Sequence, residues 1–334
     1  MHIDRYMDQQ VNLNDCTLDD FRTADASMQN CLEMAKIASQ TDLPILIHGE
    51  TGSGKTLLAK AIHNSSKRSE GPFVSFNAAA LSDTLLDSQL FGHERGAFTG
   101  AEKVVKGKFE LADKGTLFID EIADMSTAAQ SKILRAVEYG EFERLGSEKI
   151  LIADVRLISA THLPLQSFME LDRFRKDLFY RLCGIRICIP PLRERPNDLR
   201  TLVAGEIVAA NQKQDKSIRG LDKKAADRLF SYHWPGNLRE LNRVVNAAVA
   251  ITKGDVIKGD AILIDRMEFP GTASEPESSG SSLDVDAGLS LEEVEQRYIR
   301  IVLEKMNGNK RQSARILGIS RATLDRKLAL HASR

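Results

Sequence analysis

Pro44-Ile-Leu-Ile-His48, followed at once by Gly49-Glu50-Thr51-Gly52-Ser53-Gly54-Lys55-Thr56, is the stretch on which the reading of this chain turns. The second part fits G-x-x-x-x-G-K-[ST] and lies between an apolar strand and a helix, where a phosphate-binding loop belongs. Its glycines let backbone N–H groups curl around a β-phosphate. Lys55 brings positive charge to the β- and γ-phosphates, and the Thr56 hydroxyl is placed to ligate Mg²⁺. The motif points to a bound nucleotide without saying what the energy is used for.

Working outward, Leu117-Phe-Ile-Asp120-Glu121 is an apolar strand ending in two acids. Buried strands rarely end so unless the carboxylates have a chemical role. Asp120 would hold Mg²⁺ through its water shell, and Glu121 would polarise an attacking water. Alternatively, the pair only opens the next helix, where the helix dipole favours acids. Beside a phosphate loop, ATP hydrolysis is the chemistry the pair implies.

Similar apolar runs recur at residues 73–76, 115–119, 155–159 and 185–189, with helical patterns between them. That alternation predicts an α/β fold with a mostly parallel sheet covered by helices on both faces. Pro190-Pro191 ends it, and residues 196–265 read as helices only, over 198–210, 222–232 and 238–251. The segment 269–288, FPGTASEPESSGSSLDVDAG, is rich in Ser, Gly, Pro and acids and reads as a flexible linker. Order resumes at Ser290, with Glu293 closing a capping box. Leu291, Val294, Tyr298, Ile301 and Val302 then share one helical face, for packing within the unit or for a dimer seam. The predicted units are a lead-in (1–22), an α/β subdomain (23–191), a helical lid (192–268), the linker (269–288) and an all-α end (289–334).

Composition sets limits. The 334 residues are 42% hydrophobic and 28% charged with net charge −1, so any nucleic-acid surface is local. Cys16, Cys31, Cys183 and Cys188 form no CxxC pair, which suits a reduced cytoplasmic chain. No stretch approaches the roughly 18 apolar residues of a membrane span, and residues 1–10 lack a signal-peptide core.

The last 29 residues are locally basic. Residues 306–334 hold Lys310, Arg311, Arg315, Arg321, Arg326, Lys327 and Arg334 against one acid, Asp325. A helix, a turn at Gly318 and a second helix from Ser320 are expected, packed through Ala314, Leu317, Ile319, Leu324 and Leu328. Arg311, Arg321, Thr323, Arg326 and Lys327 are the candidate DNA contacts. A basic hairpin that binds a protein instead would share this composition.

Leu90-Phe-Gly-His-Glu94-Arg95 and then Gly96-Ala97-Phe98-Thr99-Gly100-Ala101 resemble the signature of sigma-54 activators, the bacterial enhancer-binding proteins. The resemblance runs over residues 21–264 and again over 290–330. It implies an AAA+ ATPase with a helical lid and a Fis-type helix-turn-helix end. It implies that residues 96–101 form a loop tip contacting sigma-54, which suits two glycines and two alanines around one aromatic and one hydroxyl. By position it makes Asn77 the partner of Glu121, and Arg175 and Arg181 the arginine fingers offered to a neighbouring subunit; read alone, Asn77 would be a strand-end asparagine capping a turn and the arginines surface salt-bridge partners. It puts Arg239, in Trp234-Pro-Gly-Asn-Leu-Arg239, near the β- and γ-phosphates.

The expected partners are sigma-54 RNA polymerase holoenzyme, enhancer DNA and further copies of the chain, from dimer to hexameric ring, at the nucleoid. The pattern is departed from at His162, where asparagine is expected after Ala-Thr, and at Thr56, Asp87, Gln89 and Asp325. A DNA-binding regulator with a vestigial ATPase, or a AAA+ chaperone, are the rival readings. About 22 residues before the ATPase are too few for a receiver domain, which suggests control by a separate inhibitory or co-activating protein, or by expression level.

Overall fold

Strict alternation along the five apolar runs is what layers the α/β part. In a computed structural model of the chain, the structure describes residues 15–79, 82–264, 298–300, 302–303, 306 and 309–332. The chain divides into two units, Met1–Asp265 and Arg266–Arg334.

In the larger unit, α1 (Ala26–Ser39) leads to β1 (Ile45–His48), α2 (Lys55–Asn64) and β2 (Phe73–Asn77). After α3 (Asp83–Phe91) comes a short antiparallel pair, β3 (Gly92–His93) and β4 (Val105–Lys106), then α4 (Lys108–Leu111) and β5 (Thr116–Asp120). Next, α5 (Thr127–Tyr139) feeds a second antiparallel pair, β6 (Glu141–Glu143) and β7 (Ile150–Ile152). β8 (Arg156–Thr161), α6 (Leu165–Glu170), α7 (Lys176–Leu182) and β9 (Ile185–Cys188) follow.

The five long strands pair in parallel in the order β2-β5-β8-β1-β9. Leu46, Leu117, Ile119 and Leu157 point to one face, where α3, α5 and α7 cover them with Leu90, Ile133 and Leu178. Their neighbours Ile45, Ile47, Phe118, Ile158 and Ala160 point to the other, under Leu32 of α1 and Leu58 of α2. Period-two alternation thus buries both faces. Each fully buried Leu or Ile contributes about 1.5–3 kcal/mol of transfer free energy.

Among the buried strand positions described, the one that carries a charge is Arg156 in β8, 2% exposed. Its Nη2 donates to the Ala38 carbonyl at 2.6 Å, at the C-terminal end of α1. A guanidinium there meets the carbonyls that α1 leaves unpaired and the negative end of its dipole. Burial pushes its pKa down from the usual arginine range.

The lid follows: α8 (Pro196–Gln214), β10 (Gly220–Leu221), α9 (Lys223–Ser231), α10 (Asn237–Ile251) and β11 (Val256–Ile257). Proline at the first turn of α8 and the Asp222 side chain accepting from Ala225 N at 2.6 Å start two of these helices. They close over Trp234, which is fully buried and donates Nε1–H to the Leu229 carbonyl at 3.0 Å. The all-helical expectation is corrected at one point, since β10 and β11 pair in parallel within the lid. The described part of the lead-in, from residue 15, is packed. Cys16 and Leu18 are buried against α1 and α2, and Asn64 Nδ2 donates to the Cys16 carbonyl at 2.8 Å.

In the smaller unit, α11 (Lys310–Ile316) and α12 (Arg321–Ala332) join through a turn at Gly318. Ala314 and Leu324 are buried with Ile299, flanked by Leu317, Ile319 and Leu328. Ser320 caps α12, its Oγ accepting from Thr323 N at 3.1 Å. Tyr298, expected on the packed stripe, is instead 46% exposed. Ile299 takes its place. The linker 269–288, the Ser290–Glu293 capping box and Ile301 lie outside the described residues.

Candidate nucleotide site

The carboxyl ends of β1, β5 and β8 bring the sequence-predicted groups to one edge of the sheet. From β1 the loop of residues 49–54 turns into α2, with Gly54 at φ +101° and Lys55 as the first helical residue. Lys55, 6% exposed, donates Nζ–H to the Gly49 carbonyl at 3.0 Å and lies 3.5 Å from Glu121 Oε1. The Ser53 hydroxyl is buried and has no hydrogen-bond partner among the described residues. Thr56 is exposed at the start of α2.

Asp120 ends β5, and Glu121 follows with φ +54°, a left-handed conformation costly for a residue of its type. Burial and the charge of Glu121 raise the Asp120 carboxyl above its ordinary value, with Lys55 and Arg239 opposing them. Burial would raise Glu121 as well, but the hydrogen bond from His162 and the charge of Lys55 outweigh it and hold it low. His162, at the end of β8, makes that contact twice: Nδ1 lies 2.7 Å and the backbone N 3.3 Å from Glu121 Oε2.

Asn77 does not hold Glu121, which corrects the sequence expectation. Its Oδ1 accepts from Ala79 N at 2.8 Å, the strand-end turn that asparagine favours, although register places it opposite Asp120. The strained backbone at Glu121 and the reach of an imidazole direct this carboxylate to His162.

The donor set suits a divalent cation. A hydroxyl (Thr56) and a carboxylate with a raised pKa (Asp120), beside a second acid, are hard oxygen ligands whose mutual repulsion a cation relieves.

The lid closes over this loop. Arg193 grips Glu50 with both guanidinium arms, Nη1 at 2.9 Å and Nη2 at 2.6 Å, and this grip lowers the Glu50 pKa. Leu238 N donates to the Gly52 carbonyl at 3.0 Å. Gly52 has φ +77°, and a Cβ there would lie 2.3 Å from the Gly236 carbonyl, so both sterics and backbone demand glycine. Arg239 starts directly above, its Cβ 3.1 Å from that hypothetical atom, and its charge is felt at Asp120. Sequence reasoning missed Arg193 and Asn237 as parts of this site. The arginine-rich run 193–195 between prolines was the available signal.

Arg175 and Arg181 are exposed beside α5 and form no contact with the phosphate loop of their own chain. Arg175 pairs with Asp177 at 2.6 Å and the Ser131 hydroxyl at 3.0 Å, and Arg181 Nη2 donates to the Glu138 carbonyl at 3.3 Å.

The segment 96–101 forms a tight loop between β3 and β4. Gly96 N donates to the Ala101 carbonyl at 2.8 Å, and Ala101 N to the Phe98 carbonyl at 3.0 Å. Ala101 is buried while Gly96, Thr99 and Gly100 are exposed. Phe98 is half-buried, edge-on to His93 with centroids 5.0 Å apart, and His93 pairs with the Ser88 hydroxyl at 2.8 Å. Both feet of the loop meet Arg144, which bonds Glu94 at 2.8 Å and Glu110 at 2.7 Å.

In the smaller unit Arg311, Arg321 and Arg326 are exposed, and Thr323 Oγ1 pairs with Ser320 Oγ at 2.8 Å. Asp325 bonds Lys310 at 2.8 Å and lies 3.9 Å from Arg321. It therefore ties α12 to the first turn of α11.

Residues 21–188 match the model of the Sigma-54 interaction domain, residues 193–276 that of the AAA+ ATPase lid domain, and residues 290–330 that of the bacterial regulatory protein, Fis family. The transcriptional regulatory protein ZraR of Escherichia coli (strain K12) is 44% identical over 304 residues, covering 91% of this chain and 67% of that protein. The DNA-binding transcriptional regulator NtrC of Azospirillum brasilense is 39% identical over 324 residues, covering 90% of this chain and 67% of that protein. NtrX from Brucella abortus, solved with ADP, superposes with a TM-score of 0.69 at 30% identity, covering 93% of this chain and 68% of that one. NtrX was also solved with ATP. No helix among the described residues is long and apolar enough to cross a membrane. The AAA+ sheet and lid, the loop at 96–101 and the Fis-type helices lead to one conclusion: the chain belongs to the family of sigma-54-dependent transcriptional activators.

Proposed function

We propose that this chain hydrolyses ATP and uses the energy to remodel sigma-54 RNA polymerase closed complexes into open ones while bound to enhancer DNA. The observation that carries this reading is the exposed Thr99 tip, standing on feet that join α3 and α4 within the same unit as the phosphate loop. A nucleotide-binding sheet and a projecting loop in one rigid α/β layer are what a motor needs to move a partner.

Residues 49–56 cradle the triphosphate, Lys55 compensates its charge, and Arg239 reaches it from the lid. Thr56 and Asp120 would hold Mg²⁺, which when bound would neutralise charge on the phosphate oxygens. Glu121 takes the proton of the attacking water, and His162 holds its carboxylate. Arg175 and Arg181, free of the chain's own phosphate loop, serve the site of the next copy in a ring, so hydrolysis requires assembly. Asn77 acts beside Asp120 rather than on Glu121 in the geometry seen here. Residues 96–101 contact sigma-54. Arg311, Arg321, Thr323, Arg326 and Lys327 bind enhancer DNA, within the unit boundaries set out from the sequence. The setting is the cytoplasm, at the nucleoid.

The test is promoter opening by purified protein on a sigma-54 promoter, with ATP and with a non-hydrolysable analogue. Melting that requires hydrolysable ATP is the expected result. DNA binding without melting under either condition would overturn the reading.

A further inference from the structure

Glu50 places a carboxylate in the phosphate loop, where it would repel the anion that Lys55 attracts. In this chain its charge is turned toward the lid. Both Glu50 oxygens are taken by Arg193, at 2.9 and 2.6 Å, and Oε2 also accepts from Asn237 Nδ2 at 3.1 Å. Asn237 joins more than these. It is 0% exposed, and its Oδ1 accepts from Leu192 N, at the entry to the lid, at 2.8 Å. Its Nδ2 lies 3.2 Å from the Thr51 carbonyl of the phosphate loop. Its backbone stands at φ +49°, three residues after Trp234 at φ +51°, so two non-glycine residues are held left-handed where α10 begins. A buried amide with both ends used, on a strained backbone, is a built feature rather than a surface accident.

We infer that Glu50, Arg193 and Asn237 form a clasp by which the phosphate loop itself sets the position of the lid, with Asn237 as the positioning residue for Arg239. Arg239 lies two residues after Asn237 on the same first turn of α10. Any movement of the Thr51 or Gly52 carbonyls when the loop wraps a phosphate is therefore passed to α10 through hydrogen bonds already made. Its consequence for hydrolysis rests on the ATPase reading above, whereas the clasp itself does not.

The test uses the full-length chain carrying Arg193→Ala, Arg193→Lys, Glu50→Gln or Asn237→Asp, with two readouts. The first is amide hydrogen exchange without nucleotide in peptides covering residues 190–195 and 234–241. The Leu238 N–H, bonded to the Gly52 carbonyl, should exchange about tenfold faster in Arg193→Ala and Asn237→Asp. The interior of α8 should keep its protection, which separates loss of the clasp from loss of folding, and Arg193→Lys should recover part of the difference. Exchange equal to that of the unaltered chain overturns the clasp. The second readout is steady-state ATP hydrolysis. Arg193→Ala should lower kcat about tenfold with KM changed less than threefold, because Lys55 still binds phosphate while Arg239 is misplaced. A rise in KM with kcat unchanged would show that the clasp positions nothing for the chemistry and would overturn the role assigned to Asn237. Should the unaltered chain hydrolyse no ATP at all, the ATPase reading fails, and the exchange result still decides the clasp.

Discussion

Two glycine-rich loops of almost the same size, residues 49–54 and 96–101, live in opposite surroundings. In the first, a Cβ on Gly52 would run into the lid backbone at 2.3 Å, and Lys55 and Glu50 are each committed to named partners. In the second, a Cβ on Gly96 or Gly100 would meet nothing within 4 Å. That loop is tied down at its feet by Arg144 and at its middle by the single ring contact of Phe98 on His93. Glycine serves close approach in the first loop. In the second it serves backbone shape alone, Gly96 and Gly100 both having positive φ. One loop is held against the lid along its length, and the other at its feet and by one ring contact.

Breaking the first loop should have the largest effect. Gly52→Ala should weaken nucleotide binding by about 100-fold or more, because the displaced loop loses its N–H cradle. Gly100→Ala should leave nucleotide affinity within about threefold and cost roughly 1–2 kcal/mol of stability through its φ of +99° alone. Fluorescence titration with a labelled nucleotide and urea unfolding would measure the two. Comparable losses of affinity would end the comparison.

Glu121→Gln tests the chemistry separately from the cradle. It should preserve nucleotide affinity within a few-fold and reduce hydrolysis by about 10²–10⁴. Equal losses in binding and turnover would show that the carboxylate serves structure, through Lys55 and His162, more than water activation.

Arg144→Ala sharpens the other side of the comparison. Glu94 and Glu110 lose their shared cation, at a cost of about 1 kcal/mol for a partly exposed network. Promoter opening should fall further than hydrolysis does, since the feet of the loop loosen while the phosphate loop is untouched. An equal fall in both rates would mean that the feet carry no separate function.

The smallest effect concerns the first turn of α8, where the lid begins. Asp198 is 5% exposed and accepts from Thr23, Ala24 and Arg195. Although burial opposes it, these bonds hold its pKa below the ordinary aspartate value of 3.8. The stabilisation is thus fully present above the unfolded-state value and is lost as pH falls through the lower folded value. Thermal unfolding between about pH 5 and pH 2 should show a steep acid limb. Asp198→Asn should flatten it and lower Tm at pH 7 by a few degrees. An unchanged acid limb would mean that these bonds to Asp198 contribute nothing to stability.

Much of the fold was legible because its signals are local. Five apolar runs ended within one or two residues of the observed strands, since a strand buried on both faces cannot admit polar side chains cheaply. Arg156 is the exception, and its reason lies 118 residues away at the Ala38 carbonyl. The lid helices were placed by periodicity, but the short β10–β11 pair was missed because two-residue strands leave no pattern.

The candidate site divides in the same way. Lys55, Thr56, Asp120 and Glu121 follow from spacing alone, because phosphate and cation chemistry impose that spacing on any chain that binds them. Which side chain would hold Glu121 did not follow: Asn77 was the sequence expectation, and His162 is the observed partner. Glu50 likewise reads as one more loop residue until Arg193 and Asn237, 143 and 187 positions further on, are folded onto it. The sequence by itself thus determined the main elements, the candidate groups and the family. Only the tertiary structure decided which charges are neutralised and by what, because pairing depends on distances between residues far apart in the chain, and those are set by packing of the sheet and lid.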